Sequence, residues 1–142
     1  MATSVSTLAT HLDLHMIGPS EVQGCHVPDH LLPVLEGAAL AVQLKGRKLL
    51  HFVTLDNLGS FRDGTSRPIF TTPTPYNPGD VIGALALPGA GLPREHVIVL
   101  EPTKLEQVAG PRYVAWGQGI EYILLNGFKR DAIASKWELK LW

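Results

Sequence analysis

Residues 47–64 read RKLLHFVTLDNLGSFRDG, and the class of the fold turns on them. Leu49, Leu50, Phe52 and Val53 make an apolar run bounded by charged and turn-forming residues, the pattern of a buried strand. A short helix is expected directly after it, over the DNLGSF segment, with Gly64 as its exit. His51 interrupts the run. A histidine inside a strand is ordinarily a satisfied core or boundary residue. Here Thr54 follows three residues on, where the chain leaves the strand, so an imidazole and a hydroxyl are expected near one strand end. His51 is therefore read as lining a site.

Downstream of this stretch the chain continues as strands. RPIFTT (67–72), EHVIVLEP (95–102), RYVAWG (112–117), GIEYILL (119–125) and AIASKWELKLW (132–142) are β-type runs separated by Gly-Gln-Gly and Asn-Gly-Phe. EHVIVLEP, rich in Val and Ile, is expected as a central strand. The last run alternates, with Ile133, Trp137, Leu139 and Leu141 on one face and Lys136, Glu138 and Lys140 on the other. The segment from Thr71 to Glu95 is a long Pro/Gly-rich connection with one helical turn expected over Asp80 to Leu87.

Upstream the pattern is helical. STLATHLDLHMI (6–17) places Leu8, Leu12 and Met16 along one helical face, with Ser6 or Thr7 as cap. PDHLLPVLEGAALAVQL (28–44) starts at Pro28 and Asp29 and predicts a second helix, which Pro33 must either open or break. The expectation is one α+β domain over 1–142. Residues 1–46 form a helical part, and 47–142 a strand-rich catalytic part with a split or bent, mainly antiparallel sheet.

Bulk properties exclude several classes. The 142 residues are 45% hydrophobic and 18% charged, with a formal net charge of −1, so no global field recruits nucleic acid. No stretch has the ~18 apolar residues of a membrane span. The N-terminal residues lack the basic and apolar regions of a secretory signal. Cys25 is the only cysteine, so no internal disulfide forms. The expected place of action is the cytoplasm, reached from outside, if at all, by another delivery system. His11 and His15 at i, i+4, with Cys25, His26 and His30 nearby, are the one cluster with zinc-like spacing. It lacks a His-Glu-x-x-His or paired Cys-x-x-Cys, and no metal is expected. Phosphate-binding loops, a dinucleotide fingerprint and a Gly-x-Ser-x-Gly elbow are absent.

Glu121 is the second candidate, in a segment with little else polar beside Gly117 and Gly119, where a ligand can approach the backbone. The plain alternative is a solvated strand edge. Thr71 and Thr72 end one strand and either line a cleft or simply terminate it. Arg62 and Arg67 flank Asp-Gly-Thr-Ser and offer a forked contact to a pyrophosphate. Tyr76 or Tyr122 supplies an aromatic wall, or anchors the fold.

In order along the chain, LLHFVT with its short helix, RPIFTT, REHVIVLEPTKL and GQGIEYILLNGF together resemble the ADP-ribosyltransferase-like superfamily, especially its compact polymorphic-toxin members. GQGIEY also resembles the Gly-rich, Gln-Tyr-containing strand of the tuberculosis necrotizing toxin group of NAD glycohydrolases, with Glu121 at the Gln position. LDNLGSF lacks the Arg of that group's Asp-Arg-Phe-Gly-like stretch. The resemblance spans about residues 48–141 and implies NAD as substrate, cleaved at the nicotinamide–ribose bond. Glu121 and His51 would be the catalytic residues, Glu121 as the carboxylate and His51 hydrogen-bonding the other ribose or its carboxamide neighbour. Thr54, Thr71 and Thr72 would shape the nicotinamide pocket beside Tyr76 or Tyr122, and Arg62 or Arg67 would hold the pyrophosphate. It also implies a toxin or effector, with a cognate immunity protein and a protein acceptor as candidate partners. Two rival readings stand beside it: a metal-independent ribonuclease using His51 and Glu121 as acid and base, and a non-enzymatic immunity or adaptor protein with Trp116 and Trp142 at its interface.

Overall fold

The computed structural model describes residues 2–14, 31–80, 94–114 and 119–140. Its elements are α1 (Val5–Leu12), β1 (Val34–Leu35), α2 (Gly37–Gln43), β2 (Leu49–Val53), α3 (Leu55–Leu58), β3 (Gly64–Thr65) and β4 (Ile69–Thr71). They continue as β5 (His96–Leu100), β6 (Val108–Val114), β7 (Gly119–Leu124), β8 (Phe128–Lys129) and β9 (Ile133–Glu138). The strands form two main antiparallel sheets, ordered β1-β6-β7-β4 and β2-β5-β9, and a small β3-β8 ribbon. The class is α+β, strand-rich and mainly antiparallel, as the sequence predicts.

One bridge joins the two sheets. Leu50 N donates to Thr72 O at 2.8 Å, and Thr72 N donates back to Leu50 O at 3.0 Å, just beyond the end of β4. The sheet is thus split, and β2 links its halves.

Two apolar clusters lie on the two faces of β2-β5-β9. Leu49, Ile98 and Leu100 point into the first, between the sheets, where they meet Ile120, Tyr122 and Leu124 of β7 and Leu40 of α2. Leu50, Phe52, Val97 and Val99 point into the second, which α1 covers with Val5 and Leu8. All five residues of β2 are buried for this reason, and a strand buried on both faces has no polar alternation to show. Ser4 caps α1 through its side chain, accepting from Thr7 N at 3.1 Å. The cap lies two residues before Ser6 and three before Thr7, the caps expected.

The second helix is a correction. Pro33 breaks it: Val34 and Leu35 pair with Ala109 and Val108 as an edge strand, and the helix begins only at Gly37. Gly110 N donates to Pro33 O at 3.1 Å, so the proline, lacking its own N–H, serves as an acceptor instead. β5 is the central strand of its sheet, as expected, and β9 alternates half-buried and exposed residues from Ile133 to Glu138. Met16, the Cys25–His30 region, the Val81–Leu87 part of the expected turn, Trp116, Gly117, Leu141 and Trp142 lie outside the described residues. No helix among the described residues is long and apolar enough to cross a membrane.

Candidate functional site

His51 points into the first cluster. It stands opposite Ile98 of β5 and shares its strand face with Leu49. Its ring meets Phe61 edge-on, centroids 5.1 Å apart. Nδ1 lies 2.8 Å from Phe70 O. A carbonyl only accepts, so Nδ1 carries the proton and Nε2 is a bare acceptor; Nε2 is buried with no partner. Burial lowers the pKa to about 4; the Phe70 bond opposes the shift and the Arg94 charge adds to it. At neutral pH His51 is therefore an uncharged core histidine.

Glu121 points the other way. Ile120, Tyr122 and Leu124 alternate with it along β7 and fill the first cluster, so Glu121 faces outward from that core. It is nevertheless only 1% exposed. Directly across β6 stands Arg112, whose Nη1 donates to Glu121 Oε1 at 2.5 Å. A charged carboxylate buried to this degree needs such a partner, because its transfer out of water otherwise costs several kcal/mol.

The convergence of His51, Thr72 and Glu121 in one cleft, expected from the sequence, does not occur. Thr71 stands opposite Tyr122, so the next residue, Thr72, continues on the Glu121 face; His51 and Thr71 lie on the opposite face. Odd and even positions of two paired strands separate the set, and no side-chain rotation crosses a sheet. The ribonuclease reading loses its acid–base pair by the same geometry.

The threonines serve the backbone. Thr71 Oγ1 donates to Tyr122 O at 2.9 Å and Thr72 Oγ1 to Ile120 O at 2.8 Å, while Thr74 N donates to Thr72 Oγ1 at 3.2 Å. These bonds sew β4 and its extension to β7. Tyr122 is a core residue whose hydroxyl donates to Gln43 Oε1 at 2.6 Å, not a stacking wall. Tyr76 is packed in the second cluster with Leu50 and Leu8, so it is an anchor and not a lid. Thr54 is the N-cap residue of α3, with no side-chain cap bond. Arg62 and Arg67 are exposed; Arg62 Nε is 3.9 Å from Asp63 Oδ2, and Arg130 Nη1 is 3.8 Å from Asp63 Oδ1.

Two arginines have roles that nothing in their local sequence marks. Arg112 became legible only with the register of β6 on β7. Arg94, just before β5, donates to Phe52 O at 3.3 Å beside the end of β2, and partial burial lowers its pKa. The Asp63–Ser66 turn, with Leu105 and Phe128, borders a cavity of about 410 Å³. None of the residues expected from the sequence lines it. Among the described residues no group of three or more His, Cys, Asp or Glu is placed to hold a metal. His11 packs its ring 5.1 Å from that of Trp137, and His15, Cys25, His26 and His30 lie outside the described residues. Comparison of the chain with protein-family models, curated proteins and solved structures gives no match.

Proposed function

We propose that the chain is an NAD-consuming toxin or effector domain of the ADP-ribosyltransferase-like kind, cleaving the nicotinamide–ribose bond with Glu121 as its carboxylate. The observation that carries this reading is a glutamate 1% exposed, locked to a guanidinium, on the face of β7 turned away from the core. Bond cleavage makes the ribose oxocarbenium-like, and a pre-oriented carboxylate stabilises that charge as the bond breaks. In this reading His51 is not catalytic; it braces β2 against β4 through Phe70. Because Glu121 is covered, substrate entry requires that its face open, and turnover is expected to be limited by that motion. Water as acceptor gives a glycohydrolase and a protein nucleophile gives a transferase, and either fits a cognate immunity protein as partner.

A time course of NAD with the purified chain, following free nicotinamide, tests the reading. Replacing Glu121 by Gln is expected to slow release by about 10²-fold, the effect of losing one electrostatic stabiliser of a transition state. No release by the wild-type chain, with cell lysate added as a source of acceptors, sinks the reading.

The non-enzymatic reading is favoured by one observation: Leu31 and Val34, beside and within the edge strand β1, are both more than half exposed. An open strand edge with apolar side chains is a ready template for a partner chain. In that case Glu121→Gln leaves the biological effect intact and Val34→Lys removes it.

A further inference from the structure

Arg112 reaches Glu121 only because β6 carries one extra residue. Val108 and Ala109 pair with Leu124 and Ile123, whereas Arg112, Tyr113 and Val114 pair with Glu121, Ile120 and Gly119. Gly110 and Pro111 therefore share the single position opposite Tyr122, a β-bulge. Had the first register continued, Arg112 would stand opposite Ile120 and face the apolar cluster. The bulge turns it through the sheet to the Glu121 side.

The local sequence is built for this. Gly110 has φ +150, and a Cβ there would lie 2.8 Å from Tyr122 Cδ1 and 3.1 Å from Glu121 O, so only glycine fits. Pro111 has no N–H to leave unpaired where the ladder is interrupted. Arg112 side-chain exposure is 31% against 1% for its partner, so the guanidinium spans from the buried carboxylate to the surface. Bulges that re-aim a single side chain recur beside active sites. A stability role alone does not require this device: an apolar residue at position 121 would fill the site without the desolvation cost of an ion pair.

We infer that Arg112 is the positioning residue for Glu121, holding its carboxylate in the orientation that cleavage uses. The inference rests on the NAD-consuming reading. Arg112 touches no reacting atom in this account; it acts through the carboxylate, so its removal lowers kcat and leaves KM nearly unchanged.

The test measures nicotinamide release and thermal midpoint for the wild type, Arg112→Met, Arg112→Lys and the exchange Arg112→Glu with Glu121→Arg. Arg112→Met is expected to lower kcat at least 10-fold with KM within twofold, and Arg112→Lys to recover part of the loss. The exchange keeps a cross-strand pair and is expected to restore the midpoint while release stays at least 10-fold down, because the carboxylate then stands on β6. If Arg112→Met matches the wild-type kcat, or the exchange restores release along with the midpoint, the positioning role is overturned. If the wild type itself releases nothing, the NAD-consuming reading falls and takes this inference with it; a positive wild type with an indifferent Arg112→Met defeats the inference alone.

Discussion

β2 carries His51 and β7 carries Glu121, each among largely apolar neighbours, and the protein treats the two in opposite ways. His51 is stripped of water among Leu49, Ile98 and Phe61 and responds by giving up its charge. Glu121 is buried more deeply still but has a guanidinium directly across the ladder. The difference lies in the neighbouring strand. β5 offers His51 only Ile98 and a backbone carbonyl bond comes from Phe70, whereas the bulge in β6 delivers Arg112 to Glu121. A buried polar residue is thus a core residue or a poised charge according to what register puts opposite it.

The largest effect is expected from breaking the charged site. Arg112→Met takes the guanidinium away from a buried carboxylate and should cost about 3–5 kcal/mol in urea unfolding, more than replacing Glu121 and Arg112 together by Leu and Met. If the single and double variants unfold alike, the pair contributes only by filling space.

The histidine site should respond to acid instead. Its folded pKa of about 4 lies below the ordinary 6.5, so between these values the unfolded chain binds a proton that the folded chain refuses. The His51 contribution to stability therefore falls as pH drops from 6.5 to 4, by roughly 3 kcal/mol in all, and levels off below that. Unfolding free energies measured across this window for the wild type and His51→Leu sharpen the comparison. The variant should lose about 1 kcal/mol at pH 7, where Phe70 O loses its donor, and show a flatter slope.

Smaller effects come from the residues that join the two regions. Thr72→Val removes the hydroxyl that donates to Ile120 O and accepts from Thr74 N, and should cost about 1–2 kcal/mol by thermal unfolding. Lys48→Met should cost under about 1 kcal/mol, since Lys48 and Glu101 pair at the partly exposed ends of β2 and β5. The Lys48 bond holds the Glu101 pKa below its usual value, so this contribution is lost as pH falls through the carboxylate range. That window opens after the His51 loss is under way, and the two are separable in one titration.

Much of the strand inventory was legible in the sequence, for identifiable reasons. LLHFV has the length and bounds of a buried strand, HVIVL the Val and Ile of a central one, and IASKWE the period of a half-exposed one. The second helix misled because its Ala/Leu/Val body outweighed Pro33, and because a two-residue edge strand has too little pattern to announce itself. At the site, Glu121 was legible as the lone charge in an apolar run, and the separation of His51 from it was not. Each strand shows its own odd and even positions, but which parity of one meets which parity of another is settled only by pairing. Tyr76 and the threonines failed differently: a hydroxyl in a strand end reads the same whether it faces a ligand or a carbonyl.

The sequence by itself determined the α+β class, the order of the main strands, the break at Pro33 as one of two outcomes, and the two polar residues that needed an explanation. These follow from local covalent and solvation preferences, which act over a few residues. Tertiary structure alone decided which face each polar residue occupies, that Gly110 and Pro111 form a bulge, and that Arg112 becomes the partner of Glu121. Those outcomes depend on register between segments, and a shift of one residue exchanges the two faces of a strand.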